Sequence, residues 1–76
     1  MNKARRKTIS NSLDKLQAAL PVLKAVLEAD EKTYKRIADN DDMEERASEL
    51  EDRIDSLKDA ISSLEEAIEA IDGIDL

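Results

Sequence analysis

Four cations lie within five residues near the start of the chain, at Lys3, Arg5, Arg6 and Lys7. Arginine and lysine at this density can hold phosphate groups, and arginine can make two parallel hydrogen bonds to one phosphate. The cluster contains no aromatic residue on which a base could stack. The competing interpretation is a solvated helix start that pairs with acidic residues of a second helix. Nucleotide or phosphate binding is therefore one candidate function.

The second half of the chain carries a row of carboxylates at helical spacing, which we call the acidic face. Such a row can imitate a phosphate backbone and occupy the basic groove of a DNA-binding protein, although it commonly serves only solubility. The acidic face consists of Glu45, Glu49, Asp52, Asp55, Asp59, Glu66 and Glu69. Within it, Asp52, Asp55, Asp59 and Glu66 are the candidate partner-binding residues.

Several kinds of site are excluded by composition, because the 76 residues include no cysteine and no histidine. Disulfide scaffolds, zinc fingers, thiol nucleophiles and imidazole bases all require one of these residues. Asp39 to Asp42 offers oxygen ligands for calcium, but it lacks the central glycine and the spacing of an EF-hand. We therefore expect no metal, no cofactor and no catalytic residue, and we predict that the protein is not an enzyme.

Charge is distributed unevenly along the chain. Residues 1–40 hold nine Lys and Arg against five Asp and Glu, whereas residues 41–76 hold three against fourteen. The net charge of −7 argues against direct binding to duplex DNA. No apolar run approaches the roughly 18 residues of a membrane span, and the basic start precedes polar residues rather than a signal-peptide core. We expect a cytoplasmic protein whose oppositely charged halves fold against each other.

Apolar residues recur at alternating intervals of four and three, which is the spacing of a coiled-coil contact row. We call these rows the seam, and Asp30 is its one clear violation. The first row is Ile9, Leu13, Leu16, Leu20, Leu23, Leu27, Asp30, Tyr34 and Ile37. The second row is Met43, Ala47, Leu50, Ile54, Leu57, Ile61, Leu64, Ile68 and Ile71.

The spacing predicts one all-α domain over residues 1–76, folded as an antiparallel helical hairpin. Helix one should cover about 3–39, the turn about 39–42 and helix two about 43–72. Asn40 should end helix one in the left-handed conformation, and either Asp41 with Glu44 or Asp42 with Glu45 should cap helix two. Gly73 should end helix two in a Schellman motif, with Ile74 folded back on Ile68 or Glu69.

Two pairing registers fit a short turn. In the preferred register the numbers of facing residues sum to 84, which places Asp30 opposite Ile54, where it can pair with Arg53 or with a cation of another subunit. In the alternative register the numbers of facing residues sum to about 80, which would need a tighter loop. Both registers should bring the basic start of helix one beside the carboxylates at the end of helix two. Those carboxylates are Glu65, Glu66, Glu69 and Asp72.

Helix one carries a second apolar row away from its seam, which predicts that it is buried on more than one side. We expect two hairpins to form a four-helix bundle, or more copies a larger homo-oligomer, although this row could instead bind a foreign helix. The candidate interface residues are Ala18, Val22, Ala25, Val26 and Ala29. Pro21 lies within this segment and should kink helix one near Gln17–Leu20 or split it there.

The basic opening of residues 1–7, the leucine heptads and the closing isoleucine-rich row from Ile54 to Ile71 resemble small helical-hairpin proteins of phages and prophages in Gram-positive bacteria. The resemblance implies an accessory or counter-defence role inside a bacterial cell. Three functions follow as hypotheses. The first is a non-enzymatic oligomer that binds and inhibits a host or anti-phage defence protein. The second is an oligomer that sequesters a nucleotide signal, and the third is an acidic DNA mimic.

Overall fold

The computed structural model describes residues 2–74, and all of its regular structure is helical. Helix α1 spans Lys3–Ile37, a 3-10 turn spans Asp41–Met43, and helix α2 spans Glu44–Asp72. The two long helices pack against each other along a rod of 60 × 15 × 13 Å. The all-α prediction and the two-helix hairpin are therefore confirmed, with α1 ending two residues earlier than expected.

The seam lies where the heptad spacing places it. All eighteen of its positions are buried or half-buried, and outside it only Glu31 and Thr33 within residues 2–74 share that status. The 3.5-residue repeat thus identifies almost the whole contact between the helices, because it keeps one row of each helix turned towards the other.

Burial along the seam is graded from the turn to the open end of the hairpin. The most buried residues extend from the turn to the level of Ile61, and Leu50 is only 4% exposed. They are Asp30, Ile37, Ala47, Leu50, Ile54 and Ile61. Beyond Ile61 every seam residue of both helices is half-exposed, so the open half of the hairpin has an incompletely covered core.

The helix ends differ from the sequence-based expectations. Asn40 has extended backbone angles (φ −96°, ψ 111°), and its side chain accepts a hydrogen bond from the amide of Asp42 instead of ending α1. No side chain caps α2, whose first residue follows the 3-10 turn directly. The predicted pairings of Asp41 with Glu44 and of Asp42 with Glu45 are therefore wrong, because the 3-10 turn already satisfies the backbone there.

Gly73 ends α2 as predicted, but without a Schellman motif. Its φ of −80° is right-handed, and its amide donates to the carbonyl of Glu69 as in an ordinary helical turn. Ile74 remains 41% exposed. At the other end of the molecule Asn2 caps α1 by accepting a hydrogen bond of 2.8 Å from the amide of Arg5. That cap has the residue type that helix starts prefer.

Helix α1 continues without interruption through Pro21, so the alternative of two separate pieces is wrong. Proline has no amide hydrogen to donate to the carbonyl of Gln17, which removes one hydrogen bond from the helix. The flanking turns on both sides retain helical geometry, supported by the leucine seam beneath them. The kink expected near Gln17–Leu20 stays a prediction.

Contacts between the helices agree with the register in which facing residue numbers sum to 84. Asp30 bonds Arg53, the neighbour of Ile54, and Ile37 forms one buried cluster with Ala47 and Leu50. In this register the last residue of α2 lies level with Ser12. The first two turns of α1 therefore extend beyond the end of α2, and residues 2–8 are all exposed.

Candidate interaction surfaces

The buried polar contact of the hairpin is a bidentate ion pair across the seam. Arg53 donates from Nε to Oδ2 of Asp30 at 2.8 Å and from Nη2 to Oδ1 at 2.7 Å. The Asp30 side chain is 11% exposed, whereas that of Arg53 is 60% exposed. This confirms the prediction that the seam aspartate pairs with Arg53, and it gives the one polar seam position a partner on the facing helix. A polar group at such a position commonly fixes register.

Protonation of Asp30 is controlled by the same contact. The hydrogen bonds from Arg53 hold the pKa of Asp30 below its ordinary value, the charges of Arg53 and Arg46 act in the same direction, and burial opposes them. The pKa of Arg53 is raised in turn, chiefly by its hydrogen bonds to Asp30. A carboxylate whose pKa is lowered on folding stabilises the fold above its unfolded pKa. That stabilisation is lost as the pH falls through the folded value.

Replacing Arg53 by methionine should lower the thermal midpoint of the protein at pH 7, because it leaves the buried Asp30 carboxylate without its partner. As the pH falls below the ordinary aspartate range and through the lowered pKa of Asp30, its carboxylate becomes protonated, so the difference between Arg53→Met and the parent should shrink. Circular dichroism melts from pH 7 to pH 3, at one protein concentration, measure both effects.

The matched control is Lys58→Met, which removes the exposed ion pair to Glu31, whose Nζ–Oε2 distance is 3.9 Å. Exposed pairs contribute little, so this variant should melt close to the parent at every pH. Equal losses in the two variants, or a loss in Arg53→Met that does not depend on pH, would contradict a special role for the seam pair.

The basic cluster lies on the exposed turns of α1 that extend past α2. Lys3, Arg5, Arg6 and Lys7 form no ion pair with any carboxylate of residues 2–74. The expected contact with Glu65, Glu66, Glu69 and Asp72 is therefore wrong. Glu65 instead pairs with Lys24 at 3.5 Å. The reason is length, because α2 ends about two turns short of the cations.

The acidic face of α2 is exposed along its whole length. Its four candidate partner-binding residues, Asp52, Asp55, Asp59 and Glu66, form no ion pair with any cation of residues 2–74. The seven carboxylates of the acidic face extend from Glu45 to Glu69, which gives one carboxylate per about 6 Å of helix. That linear density is lower than the one charge per about 3.4 Å of a single DNA strand.

The apolar row of α1 is open to solvent in the single chain. Val22 is 62% exposed and Val26 is 45% exposed. The other candidate interface residues, Ala18, Ala25 and Ala29, are exposed as well. Within one hairpin these side chains therefore contribute little to the core, although their positions lie beside the half-covered leucines of the open half.

An open groove lies on one side of the hairpin, beside the seam residues Tyr34 and Ile54. Its volume is about 270 Å³, and charged side chains line most of its rim, including the paired Glu31 and Lys58. No group of three or more potential metal-ligating side chains occurs within residues 2–74. In that same part of the chain, no helix combines the length and the apolar character needed to cross a membrane.

Comparison of the chain with known protein families, with curated proteins and with solved structures finds no match.

Proposed function

We propose that the protein is a non-enzymatic, self-associating helical hairpin that binds and inhibits a host or anti-phage defence protein in the bacterial cytoplasm. The observation that carries this proposal is the acidic face of α2, which is exposed and has no cationic partner within residues 2–74. A row of unpaired carboxylates on a rigid helix is complementary to a basic groove on another protein. The partner is therefore a protein with a basic functional surface, such as one that contacts nucleic acid.

Electrostatic complementarity also explains how inhibition would work. The row of carboxylates on the acidic face would occupy the cations that the partner needs for its own ligand. The helical backbone costs little conformational entropy on binding, because it is already ordered before the partner binds. The affinity of such electrostatic binding falls as the salt concentration rises.

The test is capture of a partner from bacterial lysate, identification of the retained protein by mass spectrometry, and assay of that protein's activity with and without the hairpin. The triple variant Asp52→Asn, Asp55→Asn, Asp59→Asn should lose at least tenfold in affinity and in inhibition. A matched control, Asp14→Asn, Glu28→Gln, Asp39→Asn, removes the same number of charges away from the acidic face and should bind as the parent does.

Equal losses in the two triple variants, or a retained protein whose activity the hairpin leaves unchanged, would contradict the proposal.

A second candidate function is favoured by the basic cluster, which extends past α2 and meets no carboxylate of residues 2–74. In that case nucleotides would raise the melting temperature by several degrees, and Arg5→Ala with Arg6→Ala would abolish the rise. That result would reassign the function to sequestration of a phosphorylated signal.

A further inference from the structure

The two long sides of the hairpin differ in charge. On one side, which we call the charged side, Lys24 pairs with Glu65 and Glu31 pairs with Lys58. Residues seven apart lie in one row of a helix, because seven residues make nearly two turns. These four residues therefore form one row on each helix, and the two rows face each other across the edge of the seam.

The opposite side of the hairpin carries almost no charge in its open half. On α2, the row that begins at Arg53 continues with Ala60 and Ala67. The neighbouring row on α2 is Ser56, Ser63 and Ala70. On α1, one corresponding row is Ala19, Val26 and Thr33, and the row next to it contains Val22 and Ala29. We call these residues of both helices, with Ala60 and Ala67 but without Arg53, the uncharged side. Both helices contribute to it, whereas the apolar row found from the sequence belongs to α1 alone.

We propose that the uncharged side is covered by the uncharged side of a second copy of this chain, so that two hairpins form a four-helix bundle. This inference deepens the self-association contained in the proposed function and rests on it. Small side chains on both helices allow two hairpins to approach closely, and Val22 and Val26 are the larger groups that such contact would bury. The half-exposed leucines of the open half lie directly beside them.

The surface area of one hairpin matches what a dimer needs. The chain exposes 5900 Å², whereas a compact monomer of this mass would expose about 4,700 Å². A standard interface covers about 800 Å² on each partner, so the excess is large enough for one such contact. No side chain of residues 2–74 is fully buried in the single hairpin, which means that its core is not closed.

Charge sets the orientation of the second copy. Each chain has a net charge of −7, so two copies repel each other least where their uncharged sides meet. With both turns at the same end, α1 of one copy lies against α2 of the other. Residues whose numbers sum to about 84 are then level, which brings Arg36 near Glu49 of the other copy. With the turns at opposite ends, α1 would face α1, and the pairing of Arg36 with Glu49 would be lost.

The first experiment is the mass in solution by light scattering at tens of micromolar protein. The parent should show twice the 8.5 kDa of one chain. Val22→Glu with Ser63→Glu places two charges on the uncharged side and should weaken association at least a hundredfold. The control Gln17→Glu with Ser62→Glu places the same charges at exposed positions of the charged side and should stay dimeric. Circular dichroism checks that each variant is helical.

The second experiment tests the relative orientation of the two copies with two single-cysteine chains. Any disulfide must then involve the introduced residues, because the parent has no cysteine. Mixed Arg36→Cys and Glu49→Cys chains should form a cross-linked heterodimer, and neither chain should cross-link with itself. Four outcomes would each overturn the inference. Two concern the parent, which would have the mass of a monomer or a mass above that of a dimer. The other two are a dimer that Val22→Glu with Ser63→Glu leaves unaffected and the absence of the mixed cross-link. Partner capture that persists with a monomeric parent would separate this failure from failure of the inhibitory function.

Discussion

Leu50→Ala should unfold most of the hairpin at 25 °C. Leu50 is the most buried side chain of residues 2–74, at 4% exposure, and it lies in the cluster with Ile37 and Ala47. Truncating a buried leucine costs about 2–5 kcal/mol. A core in a chain of this size rarely supplies more than about 3–5 kcal/mol. The loss is therefore comparable with the whole stability of the fold.

Far-UV circular dichroism measures the result as a loss of most of the helical signal, or as a fall in the thermal midpoint of at least about 10 °C. The matched control is Leu13→Ala, which makes the same truncation at a half-exposed seam position near the open end. It should cost much less, because less apolar surface returns to water. A loss from Leu13→Ala as large as that from Leu50→Ala would show that the turn half is not the stable half.

The seam is the part of this fold that sequence reasoning predicts well. Its heptad spacing holds over eighteen positions, and packing of apolar rows dominates the energy of two paired helices. The contact between Asp30 and Arg53 was also predictable, because the register places a cation beside the one acidic seam residue. Long-range pairing followed from the chain itself, since a short turn allows only an antiparallel hairpin.

The helix ends were predicted less well for a physical reason. Alternative caps differ by roughly 1 kcal/mol or less, so a short polar segment such as residues 38–42 can satisfy its backbone in several ways. Asn40 was placed at the end of one helix but caps the following 3-10 turn instead. Gly73 was expected to need left-handed angles, yet an ordinary helical turn already satisfies its amide.

The candidate surfaces were identified only in part. The sequence locates the acidic face and the apolar row of α1, because each belongs to a single helix with a clear period. The contribution of Ala60 and Ala67 was missed, since alanines on a helix surface also serve helix propensity. Only the ion pairs between helices show which rows of α1 and α2 share a side, and those pairs depend on the register.

Pro21→Ala should stabilise the protein. Pro21 lies on the exposed surface of an uninterrupted helix, one heptad before Glu28 and away from both the seam and the uncharged side. Proline inside a helix costs about 3 kcal/mol, because its ring crowds the preceding turn and it donates no hydrogen bond. Alanine restores an amide hydrogen for the carbonyl of Gln17 and has the highest helix propensity.

We expect a gain of about 1–3 kcal/mol, since part of the helical cost is already relieved by local adjustment. That gain corresponds to a rise in the thermal midpoint of roughly 4–8 °C per kcal/mol, measured by circular dichroism at fixed concentration. Asp14→Ala is the control, because Asp14 lies one heptad earlier in the same exposed row. Its replacement removes one charge and raises helix propensity but restores no backbone hydrogen bond. Its midpoint should rise by much less.

The mass of Pro21→Ala in solution distinguishes two roles for the bend expected at Pro21. If the bend expected at Pro21 serves only to accommodate the ring, Pro21→Ala keeps the parent's mass while it melts at a higher temperature. If the bend instead shapes α1 to fit against a second hairpin, Pro21→Ala leaves the midpoint unchanged or lowers it, and the dimer dissociates at a higher concentration than the parent. The second result would contradict the stabilisation predicted here and make Pro21 a determinant of assembly, because the straightened helix would lift Val22 and Val26 away from the other copy.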